Sequence, residues 1–181
     1  MKGNKIIVGI SGGIAAYKSA ILVRLLRKSG HDVQVVMTEG AKDFITPLTL
    51  STLSGRPVLS GTHNAETGQW NNHVELGLWA DAIILAPCTA NTLAKLANGL
   101  CDNLLMATLL SARCPVAVAP AMDLDMWAHP ATKRNVATLR ADGIHLIGPE
   151  SGELASGLSG EGRMSEPEAI VETLHAILGH A

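Results

Sequence analysis

The chain has 181 residues, 47% of them hydrophobic and 17% charged, with a formal net charge of −2. That length fits one domain with a buried core, and the composition excludes a disordered tail or a coiled coil. No block of Lys or Arg is present to bind nucleic acid and no apolar run is long enough to span a membrane, while three cysteines without metal-ligand spacing suit a reducing cytoplasm, the expected location.

Lys5 to Ile10 is a compact apolar run that predicts the first strand. Ser11-Gly12-Gly13 follows, then a helical pattern from Ile14 to Lys28 with Ile14, Tyr17, Ile21, Leu22 and Leu25 on one stripe, stopped by Ser29-Gly30. Val33 to Met37 predicts a second strand at the distance a βαβ unit requires, so a parallel sheet with right-handed crossovers is expected. Thr38 to Phe44 and Pro47 to Leu53 read as short helices. From Ser54 to Asn72 the pattern is lost, and a loop that long is functional or mobile.

The stretch from Asn71 to Leu105 organises the rest. A helical turn carries His73 toward Ala82–Ala86, an apolar run of the kind buried on both faces of a parallel sheet. The strand is expected to break at Pro87 into Cys88-Thr89-Ala90-Asn91-Thr92, where a helix begins. Open α/β sheets place ligands at such positions. A helix from about Asp102 to Ala112, a strand from Pro115 to Ala119, a helix from about Ala131 to Asp142 and a strand from Ile144 to Ile147 follow. Gly148 to Arg163 is rich in Gly and Ser without any period and reads as a flexible flap; Glu166-Pro167 starts the last helix, to about Leu178. The expected architecture is one domain over residues 1–181, a doubly wound open parallel sheet.

Three constellations could carry chemistry. In the first loop, GISGGI, glycines let backbone N–H groups approach an anion at a helix N-terminus. The spacing does not fit G-x-G-x-x-G, and the second strand ends in Thr38 rather than an acid, so the choice is between a mononucleotide phosphate and a plain tight turn. In the second, Thr89, Asn91 and Thr92 suit a phosphate or a polar ring edge, and equally an N-cap. The third is PAMDLDMW, Pro120 to Trp127, where the methionines and tryptophan suit core filling. There Asp123 and Asp125 suit a cap, a solvated face, or a substrate with cationic or hydroxyl groups. Of the seven histidines, His31, His63, His175 and His180 read as ordinary residues, and His73, with Glu75 near it, stands apart; spacing alone favours a structural role for it.

Taken in order, GISGGIAAYK, HVELGLWAD, APCTANTLAKLANGLCDNLL, APAMDLDMW and SGELASGLSGEGRM closely resemble the flavin-containing cysteine decarboxylases over nearly the whole chain. The resemblance implies a Rossmann- or flavodoxin-like fold that binds FMN at subunit interfaces in trimers that often assemble into dodecamers. It implies decarboxylation of 4'-phosphopantothenoylcysteine toward 4'-phosphopantetheine in coenzyme A biosynthesis. In that chemistry, flavin oxidation of the cysteinyl side chain creates a thioaldehyde sink through which carbon dioxide leaves. Many bacterial members carry a phosphopantothenoylcysteine synthetase part, which this chain lacks, so it is expected to stand alone or to be one part of a longer protein. Peptidyl-cysteine decarboxylases and non-catalytic regulatory flavoproteins are the alternatives within the family's reach.

Carried over, Gly12, Gly13 and Ile14, with Ser11 beside them, match the first flavin loop. Thr38, Glu39 and Gly40 match a second contact, and Pro87, Thr89, Ala90, Asn91 and Thr92 match a P-x-S-A-N-T motif with threonine in place of serine. His73 matches the active-site histidine. Ala121 belongs with the flavin contacts, and Met122 and Asp123 with the substrate. Two positions depart from the family's pattern. Asp123 stands where an asparagine usually binds the substrate carboxylate, and an ionised aspartate repels that carboxylate. Ser156 stands where the flap usually carries a cysteine, and its hydroxyl is a far weaker acid than a thiol. The resemblance therefore implies an oxidative half-reaction that survives and a final reduction that is slow.

Overall fold

The computed structural model describes residues 3–64 and 66–179. In chain order its elements are β1 (Lys5–Ile10), α1 (Tyr17–Lys28, entered through a 3-10 turn at Ile14–Ala16) and β2 (Asp32–Met37). A second 3-10 turn, Glu39–Asp43, leads to α2 (Pro47–Ser54), then α3 (His73–Trp79), β3 (Ala82–Cys88), α4 (Ala90–Ala97) and α5 (Leu104–Leu110). They are followed by β4 (Val116–Pro120), α6 (Leu124–Ala128), α7 (Pro130–Ala141), β5 (His145–Leu146), β6 (Glu150–Glu153), β7 (Ser159–Arg163) and α8 (Pro167–Ile177). None of the described helices is long and apolar enough to cross a membrane.

Five parallel strands form one sheet in the order β2-β1-β3-β4-β5. Period-two alternation sends Ile6, Val8, Ile10, Ala82, Ile84 and Ala86 into the core under α1 and α8. The intervening Ile7, Ile83 and Leu85 enter a second core with α4, α5 and α7. Helices therefore cover both faces, as expected of continuous apolar strands. Chain order reverses between β1 and β3, which makes the edge beyond their C-terminal ends the topological switch point of the sheet.

Three expectations change. β3 does not break at Pro87: it continues to Cys88 through a cis Ala86–Pro87 peptide, with a register shift against β4 between Leu85 and Cys88. Side chains satisfy the carbonyls at this point, since the Ser19 hydroxyl donates to Ala86 O (2.8 Å) and the Ser11 hydroxyl to Pro87 O (2.7 Å). The α1 stripe is rotated. Leu22, Val23 and Leu26 are buried along with Lys18 and Ser19, while Ile14, Tyr17 and Ile21 are exposed. A lysine can occupy the buried face because its ammonium is bound by Glu166 Oε1 (2.9 Å) and Met164 O (3.0 Å).

The flap is a structured hairpin, β6 paired antiparallel to β7, rather than an aperiodic strap. It has no apolar face of its own and docks through specific contacts. Trp127 Nε1 donates to Glu161 Oε2 (2.9 Å) and Met122 N to Gly162 O (3.0 Å). At Gly162, with φ of 151°, a Cβ would lie 2.2 Å from Met122 O, so only glycine permits this approach.

Candidate active site

Two cavities open at the C-terminal edge of the sheet and share Ala121 and Met122 as a common wall. The first, about 660 Å³, is built where three loops meet: Gly12 after β1, Thr38 to Gly40 after β2, and Thr89 to Thr92 after β3. The loops fit closely, since a Cβ on Gly12 would stand 2.5 Å from Gly40 O. Ser11 lines neither cavity. It is buried, and its hydroxyl accepts from Thr89 N (3.0 Å) while donating to Pro87 O, so it ties the β1 and β3 loops together. Pro87 is likewise buried in the scaffold and does not line a cavity.

Thr89 is the N-cap of α4, and its Oγ1 accepts from Thr92 N (3.4 Å). The cap thus occupies one first-turn donor, while the first-turn N–H groups of Ala90 and Asn91 accompany the positive end of the helix. Lys95 and Asp102 also line this cavity as an ion pair, which holds the Asp102 carboxyl below its usual range. Neither residue was legible as a site residue from the sequence. Both lie within the APCTANTLAKLANGLCDNLL stretch without being singled out there, and they face the cavity because α4 and the segment before α5 meet.

The second cavity, about 580 Å³, lies under the hairpin and is lined by Gly13, Ile14, Met122, Asp123 and Ser156, among the expected residues. It also brings in Lys18, Glu153 and Arg163, which sequence reasoning missed. Glu166 joins the two cations behind it, accepting from Lys18 and from Arg163 Nη2 (2.6 Å), and the Lys18 ammonium is the leading reason its carboxyl lies below the usual range. The available signal was a lysine at a buried helical position followed by an acid at the head of the last helix. Asp123 occupies the N-cap position of α6, but its side chain makes no cap hydrogen bond and has no ion-pair partner among the described residues. Ser156 sits exposed in the turn at the hairpin tip.

His73 lines neither cavity. It opens α3, where Asn72 Oδ1 caps Val74 N (3.0 Å), and α3 packs against α5. One chain therefore does not bring this histidine to the residues expected to work with it. His31 and His175 pair through their Nε2 atoms (2.9 Å) and join α8 to the chain after α1, and His180 lies outside the described residues. No group of three or more His, Cys, Asp or Glu able to hold a metal occurs among the described residues.

Comparison with known proteins agrees with this geometry. The profile of the Flavoprotein family matches residues 1–179. A cysteine/cysteine sulfinic acid decarboxylase from an unknown prokaryotic organism is 61% identical over 128 residues, 71% of this chain and 36% of that protein. The coenzyme A biosynthesis bifunctional protein CoaBC of Vibrio vulnificus (strain YJ016) is 48% identical over 171 residues, 94% of this chain and 43% of that protein. The chain thus spans less than half the length of these curated relatives. Among solved structures, a Cys-to-Ser mutant of a PPC decarboxylase complexed with pantothenoylaminoethenethiol matches with a TM-score of 0.87 at 35% identity, over 98% of this chain and 100% of that one. The FMN binding protein AtHal3 matches with a TM-score of 0.84 at 34% identity, over 99% of each chain. Its switch-point loops, its two joined cavities and a profile match along nearly its full length show that the chain belongs to the Flavoprotein family.

Proposed function

We propose that the chain is an FMN-dependent decarboxylase of cysteinyl carboxylates, with 4'-phosphopantothenoylcysteine as the substrate that the CoaBC relatives and the PPC decarboxylase neighbour support. The observation that carries this reading is the pair of cavities joined at Ala121 and Met122, one suited to a flavin and the other to its substrate. The flavin fits the residues present. The larger cavity falls within the ~300–1,000 Å³ usual for cofactor sites, and the Gly12–Gly40 approach leaves backbone rather than side chain at its floor. Gly12, Thr38, Gly40 and the first turn of α4, Ala90 to Thr92, would hold FMN. When bound, FMN supplies a two-electron acceptor for the cysteinyl side chain, and the thioaldehyde formed on the substrate is the sink for carbon dioxide loss.

The chain's own residues orient the substrate and handle protons. The hairpin covers the second cavity and holds Ser156 at its rim. A serine hydroxyl releases a proton poorly, so Ser156 at the rim would make the final reductive proton transfer slow and the enethiol would accumulate. The Cys-to-Ser PPC decarboxylase complexed with pantothenoylaminoethenethiol supports this half of the reading. His73 serves the cavity of a neighbouring copy, in a homotrimer or higher assembly with FMN at the subunit interface. The exposed Ile14 (61%), Tyr17 (56%) and Leu78 (55%) support such an assembly, because apolar side chains of that size at a cavity rim and along α3 are suited to burial. A synthetase domain, as the CoaBC relatives suggest, is a further partner. The relative that acts on cysteine and cysteine sulfinic acid adds small free amino acids as a second substrate class for the same cavity.

The test is anaerobic mixing of the flavin-loaded protein with phosphopantothenoylcysteine. Bleaching of the flavin together with one carbon dioxide per site is expected, and neither occurs in His73→Asn. An unbleached flavin with no carbon dioxide refutes the decarboxylase. Phosphopantetheine released with the flavin oxidised again refutes only the role given to Ser156.

A further inference from the structure

We propose that Asp123 is a specificity-determining residue that receives the free α-ammonium of the substrate, so that the cavity takes cysteine-type amino acids with an unblocked amine in preference to N-acylated cysteines. The inference rests on the decarboxylase reading of this cavity and ranks the two substrate classes named for it, placing free cysteines above the N-acylated phosphopantothenoylcysteine.

The argument is one of charge and hydrogen-bond satisfaction. Two cations, Lys18 and Arg163, and two carboxylates, Asp123 and Glu153, line the cavity. Glu166 is already bound to both cations, at 2.9 Å from Lys18 Nζ and 2.6 Å from Arg163 Nη2. With that third carboxylate counted, the site carries net negative charge before any substrate arrives. An N-acylated cysteine brings only a further negative carboxylate to it. An α-amino acid brings an ammonium as well; of the two cavity carboxylates that no donor reaches, Glu153 is exposed to water and Asp123 is the partly buried one that gains by meeting it.

Asp123 is partly buried, sits at an N-cap position without making the cap bond, and no donor among the described residues reaches its carboxylate. A carboxylate accepts only, so its ligand must donate, and a cationic donor gains most. The other end of a zwitterion is also provided for. Arg163 has five N–H donors, and Glu166 engages the guanidinium through Nη2. The bond from Met122 N to Gly162 O fixes the two groups relative to each other, since Asp123 and Arg163 are each the next residue after it. Lys18, buried and bound by two oxygens, is left to hold the framework.

The test measures binding and turnover separately. Isothermal titration of the flavin-loaded protein with S-methyl-L-cysteine and with N-acetyl-S-methyl-L-cysteine, whose capped sulfur blocks turnover, is compared with the same titrations of Asp123→Asn. The wild type should favour the free amine by about tenfold or more, and Asp123→Asn should erase or invert that ratio. Carbon dioxide release from L-cysteine and from phosphopantothenoylcysteine should move the same way, with the acylated substrate gaining in the variant. Asn is the isosteric choice and caps α6 at least as well as Asp, so folding is retained. Equal binding of the two analogues, no binding of either, or a ratio that Asp123→Asn leaves unchanged overturns the proposal. A free-amine preference in the wild type that Asp123→Asn erases, without carbon dioxide from any substrate, refutes the decarboxylase reading and leaves the ammonium site standing.

Discussion

Glu166→Gln should destabilise the protein far more than its surface position suggests. Lys18 is 4% exposed, and its ammonium is held by two oxygens, Met164 O at 3.0 Å and Glu166 Oε1 at 2.9 Å. The amide keeps an oxygen in place and removes the countercharge, leaving a buried cation on two neutral carbonyl oxygens. A charge-assisted bond at a buried group is worth ~1.5–3 kcal/mol, and breaking a buried pair from one side costs up to ~3–5 kcal/mol. Because the Glu166 side chain is 44% exposed, water offsets part of this, and ~2 kcal/mol is expected. For a chain of this length that corresponds to a fall in Tm of ~4–8 °C.

Adding Lys18→Met should recover more than half the loss, because an apolar stem of similar length then fills the site without a charge to satisfy. The pair's pH dependence has a definite sign. Lys18 lowers the Glu166 carboxyl below its ordinary value in the folded state. The stabilisation is therefore present above the unfolded-state carboxyl pKa and is lost as pH falls through the lower, folded one. Urea titrations at fixed protein and flavin concentration, from neutral pH down into the acid range, measure all three effects. A Glu166→Gln protein within ~0.5 kcal/mol of wild type at pH 7, or a double variant no better than the single, would refute the reasoning.

Three other outcomes follow from the same geometry. Gly12→Ala places a methyl 2.5 Å from a backbone oxygen and should weaken flavin retention by about tenfold or more, read by fluorescence titration, while costing ~1–3 kcal/mol of stability; unchanged affinity would remove Gly12 from the site. Ser11→Ala orphans Thr89 N–H, while Pro87 O keeps a 3.3 Å bond from Ser11 N, so a loss of ~1–3 kcal/mol is expected by denaturant unfolding. Under a thiol reagent Cys101, which is exposed, should react first and Cys114 more slowly, because desolvation raises its thiol pKa. Cys88 should react only on unfolding, since burial pushes its thiol up and leaves it protonated and covered.

The central strands were legible because burial on both faces leaves unbroken apolar runs such as Ala82–Ala86. What the sequence hid has physical causes. The strand's passage through Pro87 depends on Ser19, whose hydroxyl bonds Ala86 O (2.8 Å) from 67 positions away in the chain, a contact that no local pattern encodes. The rotated face of α1 was misread because hydrophobicity assigned Ile14 and Tyr17 inward, whereas ion pairing admits Lys18. The hairpin escaped notice because its residues face a cavity and a helix rather than a core, so no alternation is required of them. The loops after β1, β2 and β3 that the resemblance singled out do meet at one cavity, but His73 was placed with them by resemblance, and its position on α3 separates it from both cavities of its own chain.

The hairpin's anchors also set how it exchanges hydrogen with solvent. Its base is fixed at Met122–Gly162 and Trp127–Glu161, whereas the tip closes on itself through Leu154 N to Leu158 O (2.8 Å) and Gly157 N to Leu154 O (2.9 Å). The amides of residues 154–158 therefore belong to a small opening unit, while those beside Met122 open only when α6 is also released. A substrate entering beneath Ser156 would slow exchange at the tip and leave the base unchanged. Amide protection can thus register occupancy of this cavity even when no turnover occurs.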